Sequence, residues 1–310
     1  MGTPLLWVGF NLFVLLAVAL DLGVFHRKAH KIELQEAALW SVIWIALAVV
    51  FGSFLWHWFG AQRGLEYFTG YVIEKALSID NLFVFLVIFR TFQVHEQVQH
   101  RVLAWGILGA LVMRGIMIAA GAALIARFQW ILPAFGVFLV YTGLHMLWKR
   151  GKQVQYEKNP IFRFAGTHLR VTKEYHGGNF FVRQAGQLLA TPLFLVLLVI
   201  EITDVTFAVD SIPAIFGITR DAFVVYTSNV FAILGLRALY FLLSDLLQYL
   251  RYLGYGLALV LIFIGVKMVA EPWLHISVYV SLAVVGGILV LATLLSLLAR
   301  PRTDRGESLG

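Results

Sequence analysis

Apolar residues gather in nine long stretches, roughly 5–25, 37–58, 66–90, 101–126, 131–149, 188–212, 222–244, 252–271 and 275–299. Each approaches or exceeds the roughly 20 residues an α-helix needs to cross a bilayer. The pattern predicts an all-α polytopic membrane protein with nine transmembrane helices. Two stretches break the apolar rule from within. EKALSIDNLF begins at Glu74 and EITDVTFAVDSIP begins at Glu201, and together they place five carboxylates, Glu74, Asp80, Glu201, Asp204 and Asp210, at membrane depth. An ionisable group there costs on the order of 2.5–3.5 kcal/mol even on a lenient insertion scale, so such groups point to function.

Composition supports the membrane reading. Of 310 residues, 60% are apolar and only 13% charged, against roughly 25% charged in soluble domains. The net charge of +7 does not form a nucleic-acid surface, because the basic residues fall in alternate loops. Loops assigned to the cytoplasm carry 17 Lys and Arg, among them Arg27, Lys28 and Lys31. External loops carry 3 (Arg63, Arg127 and Arg220), and 4 are intramembrane. That asymmetry obeys the positive-inside rule and sets the N-terminus outside and the C-terminus in the cytoplasm. The basic cluster follows the first span, the reverse of a cleaved signal peptide. There is no cysteine, so disulfides and thiolate metal sites are excluded.

The two acidic stretches align. Glu74, Ser78, Asp80 and Asn81 match Asp204, Ala208, Asp210 and Ser211. Downstream, Arg114 matches Arg237, and Gly143-x-His145-Met146 matches Gly265-x-Lys267-Met268. The chain therefore divides into two leading helices (1–62), repeat A (63–149), a basic cytoplasmic loop (150–187), repeat B (188–272), and a last helix with its tail (273–310). An odd number of spans per repeat inverts the second copy, an arrangement that in secondary transporters places the binding site near the midplane.

On a regular helix, Glu74 and Asn81 share one face, as do Asp204 and Ser211. Asp80 and Asp210 point about 120° away from the preceding acid. Joining both acids of a copy at one ion would require local unwinding, for which Pro213 is the marker in the second copy. Four bases, Lys75, Arg114, Arg237 and Lys267, share the membrane region, so structural ion pairs are the competing account of the acids. In a mixed arrangement, the bases neutralise an empty site and exchange partners when a cation arrives. The oxygen-only donor set of Glu74, Asp80, Asn81, Glu201, Asp204, Asp210 and Ser211 suits a hard divalent ion such as Mg²⁺, Ca²⁺ or Mn²⁺. Closely spaced acids also offer a route to metal/proton exchange.

At EKALSIDNLFVF, TPLFLVLLVIEITDVTFAVDSIPAIFGIT and YTSNVFAILGLRALYF the chain resembles the TerC family of bacterial integral membrane proteins, and within it the Alx-like branch. The resemblance implies manganese efflux across the inner membrane, with some relatives tied to alkaline response or tellurite resistance. It carries over the acidic motif positions and implies no prosthetic cofactor, with Mn²⁺ as the transported ion. The expected partners are membrane lipid and the divalent cation. No GxxxxGK[ST] or HExxH motif occurs, which favours a secondary transporter over a pump or an enzyme. A non-transporting scaffold or stress-response protein, its acids held in structural ion pairs, is the alternative.

Overall fold

The computed structural model describes residues 2–25, 34–128, 130–149, 171–172, 174–184, 187–243 and 252–299. The basic cluster at Arg27, Lys28 and Lys31, positions 150–170 of the basic loop, Arg251 and the tail from Arg300 lie outside these residues. Among the described residues, ten helices and one hairpin follow in order. They are α1 (Pro4–Phe25), α2 (Leu34–Phe59), α3 (Ala61–Thr91), α4 (Glu96–Arg127), α5 (Ile131–Lys149), β1 (Phe181–Gln184), β2 (Gln187–Ala190), α6 (Pro192–Phe216), α7 (Ala222–Leu234), α8 (Leu236–Leu243), α9 (Leu253–Ala270) and α10 (Val278–Leu298).

Six of these helices, α2, α4, α5, α6, α9 and α10, are single segments long and apolar enough to cross a membrane; α7 and α8 make a seventh when taken as one bent span. The apolar run of α1 is shorter, Pro4–Leu20. The 31-residue α3 is diluted by Arg63, Glu66, Glu74, Lys75, Asp80 and Arg90. The bundle surface is studded with exposed Leu, Val and Ile, including Leu5, Leu16, Val112, Ile116 and Leu291. Apolar side chains outside and polar ones within is the arrangement a lipid solvent selects.

Local chemistry sets the helix ends. Pro192 opens α6 directly after Thr191, where its missing N–H costs nothing. Asp221 caps α7 by accepting from the Phe223 amide at 3.0 Å. Small residues set the closest packing. The antiparallel pair α5–α9 meets glycine on glycine: a β-carbon at Gly265 would lie 2.5 Å from the Gly136 carbonyl, and one at Gly143 would lie 2.7 Å from the Ala258 carbonyl. An aromatic cluster of Phe10, Phe51, Tyr67, Phe223 and Phe231 ties α1, α2, α3 and α7 together.

The structure is helical as expected, with one short addition: β1 pairs antiparallel with β2 in the register Phe181↔Ala190 to Gln184↔Gln187. The hairpin region docks on the bundle where the Tyr175 hydroxyl donates to the Phe92 carbonyl at 2.7 Å. Burial pushes that phenol's pKa above its ordinary value. One expectation is corrected. The unwinding expected between the paired acids is absent: α3 is continuous past Asp80, and α6 runs through Pro213 to Phe216. Pro213 sits in the last turn, so the missing amide leaves only the Val209 carbonyl without its helical donor. The helix breaks instead at Gly235, where α7 and α8 meet at 42°.

Candidate functional site at the bundle centre

The central feature is a guanidinium shared by two carboxylates from the two halves of the chain. Arg114, on α4, donates through Nε to Asp204 Oδ2 at 3.0 Å and through Nη2 to Asp204 Oδ1 at 2.8 Å, the two-pronged grip a planar fork allows. Its Nη1 donates to Glu74 Oε1. All three side chains are buried, with relative exposures of 2% for Arg114, 0% for Glu74 and 5% for Asp204. Two carboxylates against one guanidinium leave the ionised cluster one negative charge in excess. Glu74 Oε2 is buried and has no hydrogen-bond partner.

Other buried oxygens and nitrogens without partners lie on the helices around this cluster: Ser78 Oγ on α3, Ser211 Oγ on α6, and both amide atoms of Asn229 on α7. Buried polar groups in native proteins are overwhelmingly paired, so each of these asks for a partner, as do the Ser41, Tyr67 and Tyr71 hydroxyls on α2 and α3. A small cavity of about 20 Å³ borders Arg114, Asp204 and Arg237. That is room for about one water and no more.

The remaining predicted residues are dispersed. Asp210 lies on another face of α6, where it accepts from the Thr142 hydroxyl of α5 at 3.3 Å. The 120° separation of the two aspartates therefore persists, because no unwinding cancels it. Glu201 is half-buried on α6, against Gly109 of α4, where a β-carbon would coincide with its carboxylate. Only the missing side chain makes room for it. Asn81 is buried on α3; the Asp80 side chain lies outside the described residues. Among the described residues, no three acids or histidines gather into a group able to hold a metal. Of the expected acids, the structure joins Glu74 and Asp204 through Arg114, while Asp210 turns to α5.

The bases take separate roles. Lys75 donates from Nζ to the Ala232 carbonyl at 3.1 Å, and a β-carbon on Gly235 would meet that ammonium at 2.9 Å. The carbonyl three residues before the break at Gly235 thereby receives a side-chain donor. Arg237 is buried at the start of α8. Lys267 is remote from the centre and lines a cavity of about 550 Å³ at the end of the bundle.

That end holds a cluster absent from the sequence reading. Glu66 is 3% exposed and accepts from Gln62 at 3.0 Å, Arg63 at 2.7 Å and Thr219 at 2.6 Å. Its available signals were the Arg63/Glu66 spacing of three and the polar turn Thr219-Arg220-Asp221, neither of which announces that the two meet.

A buried acid–arginine–acid bridge thus joins the two acidic motifs. Residues 59–304 match the integral membrane protein TerC family. The chain belongs to the TerC family. It is 47% identical over 306 residues to an uncharacterized membrane protein of Myxococcus xanthus, covering 98% of this chain and 96% of the relative. It is 46% identical over 314 residues to Alx of Escherichia coli strain K12, described as a candidate membrane-bound redox modulator, covering 98% of each. An uncharacterized membrane protein of Rickettsia bellii is 40% identical over 299 residues, covering 96% of this chain and 99% of the relative. No solved structure matches. Within this TerC chain, both acidic motifs and the Arg114 and Arg237 positions fall inside the matched region.

Proposed function

We propose that this TerC protein is a secondary transporter that exports Mn²⁺ across the bacterial inner membrane, in exchange for protons. One observation carries the reading: the buried Glu74–Arg114–Asp204 cluster is negative by one charge when ionised and leaves a carboxylate oxygen unpartnered. A structural ion pair gains nothing from that surplus, because an uncompensated buried charge is costly. A proton, a metal cation or Arg237, which borders the same small cavity, compensates it. In this reading Arg114 stands in for the cargo between transport events. When Mn²⁺ enters, the guanidinium releases one or both carboxylates, and Asp204, Glu74 and the neighbouring Ser211, Asn81 and Glu201 supply oxygen donors. Asp80 and Asp210 serve the same ion on its way through, and Arg237 offsets charge on the opposite repeat.

The antiparallel α5–α9 pair supports the inverted repeat, since these are the third helices of repeats A and B and each matched glycine packs on the other helix's backbone, Gly143 on Ala258 and Gly265 on Gly136. Nine crossings with the N-terminus outside follow if α1 and α3 span the bilayer and α7–α8 form one bent span. The oxygen-only chemistry of the acids favours a hard divalent ion over a soft one.

The test is Asp204→Asn and Asp210→Asn at matched protein levels, read as cellular manganese and growth under Mn²⁺ challenge. The expected outcome is manganese accumulation at least severalfold above that with the unaltered protein. The second reading, a scaffold or stress-response protein, is favoured by the completeness of the Asp204–Arg114 grip, which suits a static pair. Unchanged manganese in both variants selects it. The Alx relatives' description as candidate redox modulators does not fit thiol chemistry here, since this chain has no cysteine.

A further inference from the structure

The turn His176-Gly177-Gly178, just before β1, lies over Arg101 in the second turn of α4. Both glycines have a reason in geometry. Gly177 takes a φ of +58°, in the left-handed region that favours glycine. A β-carbon on Gly178 would stand 2.5 Å from Arg101 Nη1 and 3.2 Å from its guanidinium carbon. The turn seats a guanidinium, yet gives it no bond. Among the described residues Arg101 makes no hydrogen bond or ion pair, and its Nε is buried without an acceptor. The acids at this end, Glu96 and Glu174, do not pair with it. We propose that Arg101 and this turn form a binding site for the phosphate of an anionic membrane lipid. The inference is independent of what passes through the bundle centre.

Depth and surroundings select a lipid over a free phosphate. Trp105 lies one turn further along the same face of α4, exposed, with its ring edge-on to Phe180 at 6.5 Å. Tryptophan collects at the boundary between acyl chains and headgroups. Arg101, about 6 Å nearer the helix end, therefore falls at headgroup level. The hairpin beside it carries apolar side chains outward. Phe181 and Leu188 are both exposed, and the pairings Phe181↔Ala190 and Arg183↔Leu188 put them on one face together with Arg183. Phe181 also packs on Phe194 of α6 at 4.6 Å, which ties the hairpin to the bundle.

A lipid uses both features, its chains the exposed apolar side chains and its phosphate the guanidinium. A free phosphate uses only the second. The planar fork of arginine matches two phosphate oxygens at once. Basic pockets between helices at headgroup level are where anionic lipids lodge.

The full-length protein in dodecyl maltoside, a detergent without phosphate or charge, is titrated with lipid and read by native mass spectrometry. Phosphatidylglycerol should stay bound, and Arg101→Gln should weaken that binding about tenfold, the loss expected for a two-pronged charge-assisted contact. Arg101→Lys should recover only part of it. In parallel, phenylglyoxal modifies arginines and peptide mass spectrometry follows Arg101. Phosphatidylglycerol should slow its modification severalfold and leave Arg220, exposed at the far end, unaffected. Oleate has the charge and the chain without the phosphate and should protect far less. Glycerol phosphate, with the phosphate but no chain, should also protect far less. Equal protection by oleate means diffuse charge, equal protection by glycerol phosphate means a soluble ligand, and either overturns the proposal. So does unchanged phosphatidylglycerol binding to Arg101→Gln, or an Arg101 that the reagent fails to reach in bare detergent. If Arg101→Gln does not fold, the labelling series on the unaltered protein decides alone.

Discussion

A single arginine does the central work at the residue scale. Arg114 reaches Asp204 with two donors and Glu74 with a third, so each substitution tests a different part of the grip. Arg114→Leu leaves two buried carboxylates facing each other and should destabilise the protein by about 3–5 kcal/mol, the usual loss when one member of a buried ionic group is removed. Arg114→Lys should recover little of it, because an ammonium cannot hold one carboxylate bidentately and another at the same time. Thermal unfolding in detergent, with the yield of monodisperse protein, measures both. Gly109 gives a second test. Gly109→Ala collides with the Glu201 carboxylate and should cost about 1–3 kcal/mol as overpacking. Glu201→Ala in the same background should restore most of that loss, and the double-mutant cycle reads the coupling directly.

At the scale of elements, the bundle puts its irregularity where a side chain can repair it. The α7–α8 break at Gly235 falls beside Lys75, whose ammonium takes the Ala232 carbonyl. Lys75→Met keeps the bulk and loses the donor. It should cost about 1–3 kcal/mol, the penalty for orphaning a buried acceptor, seen as a lowered unfolding temperature and faster amide exchange at 232–236. The helical periods were legible in the sequence because apolar runs of this length have few alternatives, and the angular offset of Asp210 from Asp204 followed from the helix repeat alone. The break was misplaced. Pro213 is a strong local signal, but it comes three residues before the end of α6 and costs one helical bond without breaking the span, whereas Gly235 lies in an unremarkable apolar run. The matched positions of Arg114 and Arg237 were also visible, but not that Arg114 would lie between Glu74 and Asp204. Those contacts span 40 and 90 residues of chain, and periodicity carries no information about which helix faces which.

On the scale of the whole molecule, polar chemistry occupies two levels: the buried cluster at Arg114 and the larger cavity around Glu66 and Lys267. The second level escaped the sequence reading because loop ends from four places build it, and each alone resembles an ordinary helix terminus. The helix order carries the chain back and forth so that Arg63, Arg127 and Arg220 share one end of the bundle with that cavity, while the β1–β2 hairpin docks at the other. If nine segments cross with the N-terminus outside, alkaline phosphatase fused at Asp221 should be active and the same fusion at Lys152 inactive. Green fluorescent protein should show the reverse. Matching signals from both fusion sites would contradict that topology.

Glu74 and Lys75 are adjacent on α3, yet they tether it in different directions, one to α4 and α6 through Arg114 and the other to the elbow of α7. Successive residues on a helix point about 100° apart, so the two tethers leave α3 in different directions. The two halves of the chain are thereby joined at a single dipeptide, and a rigid displacement of α3 strains both contacts together.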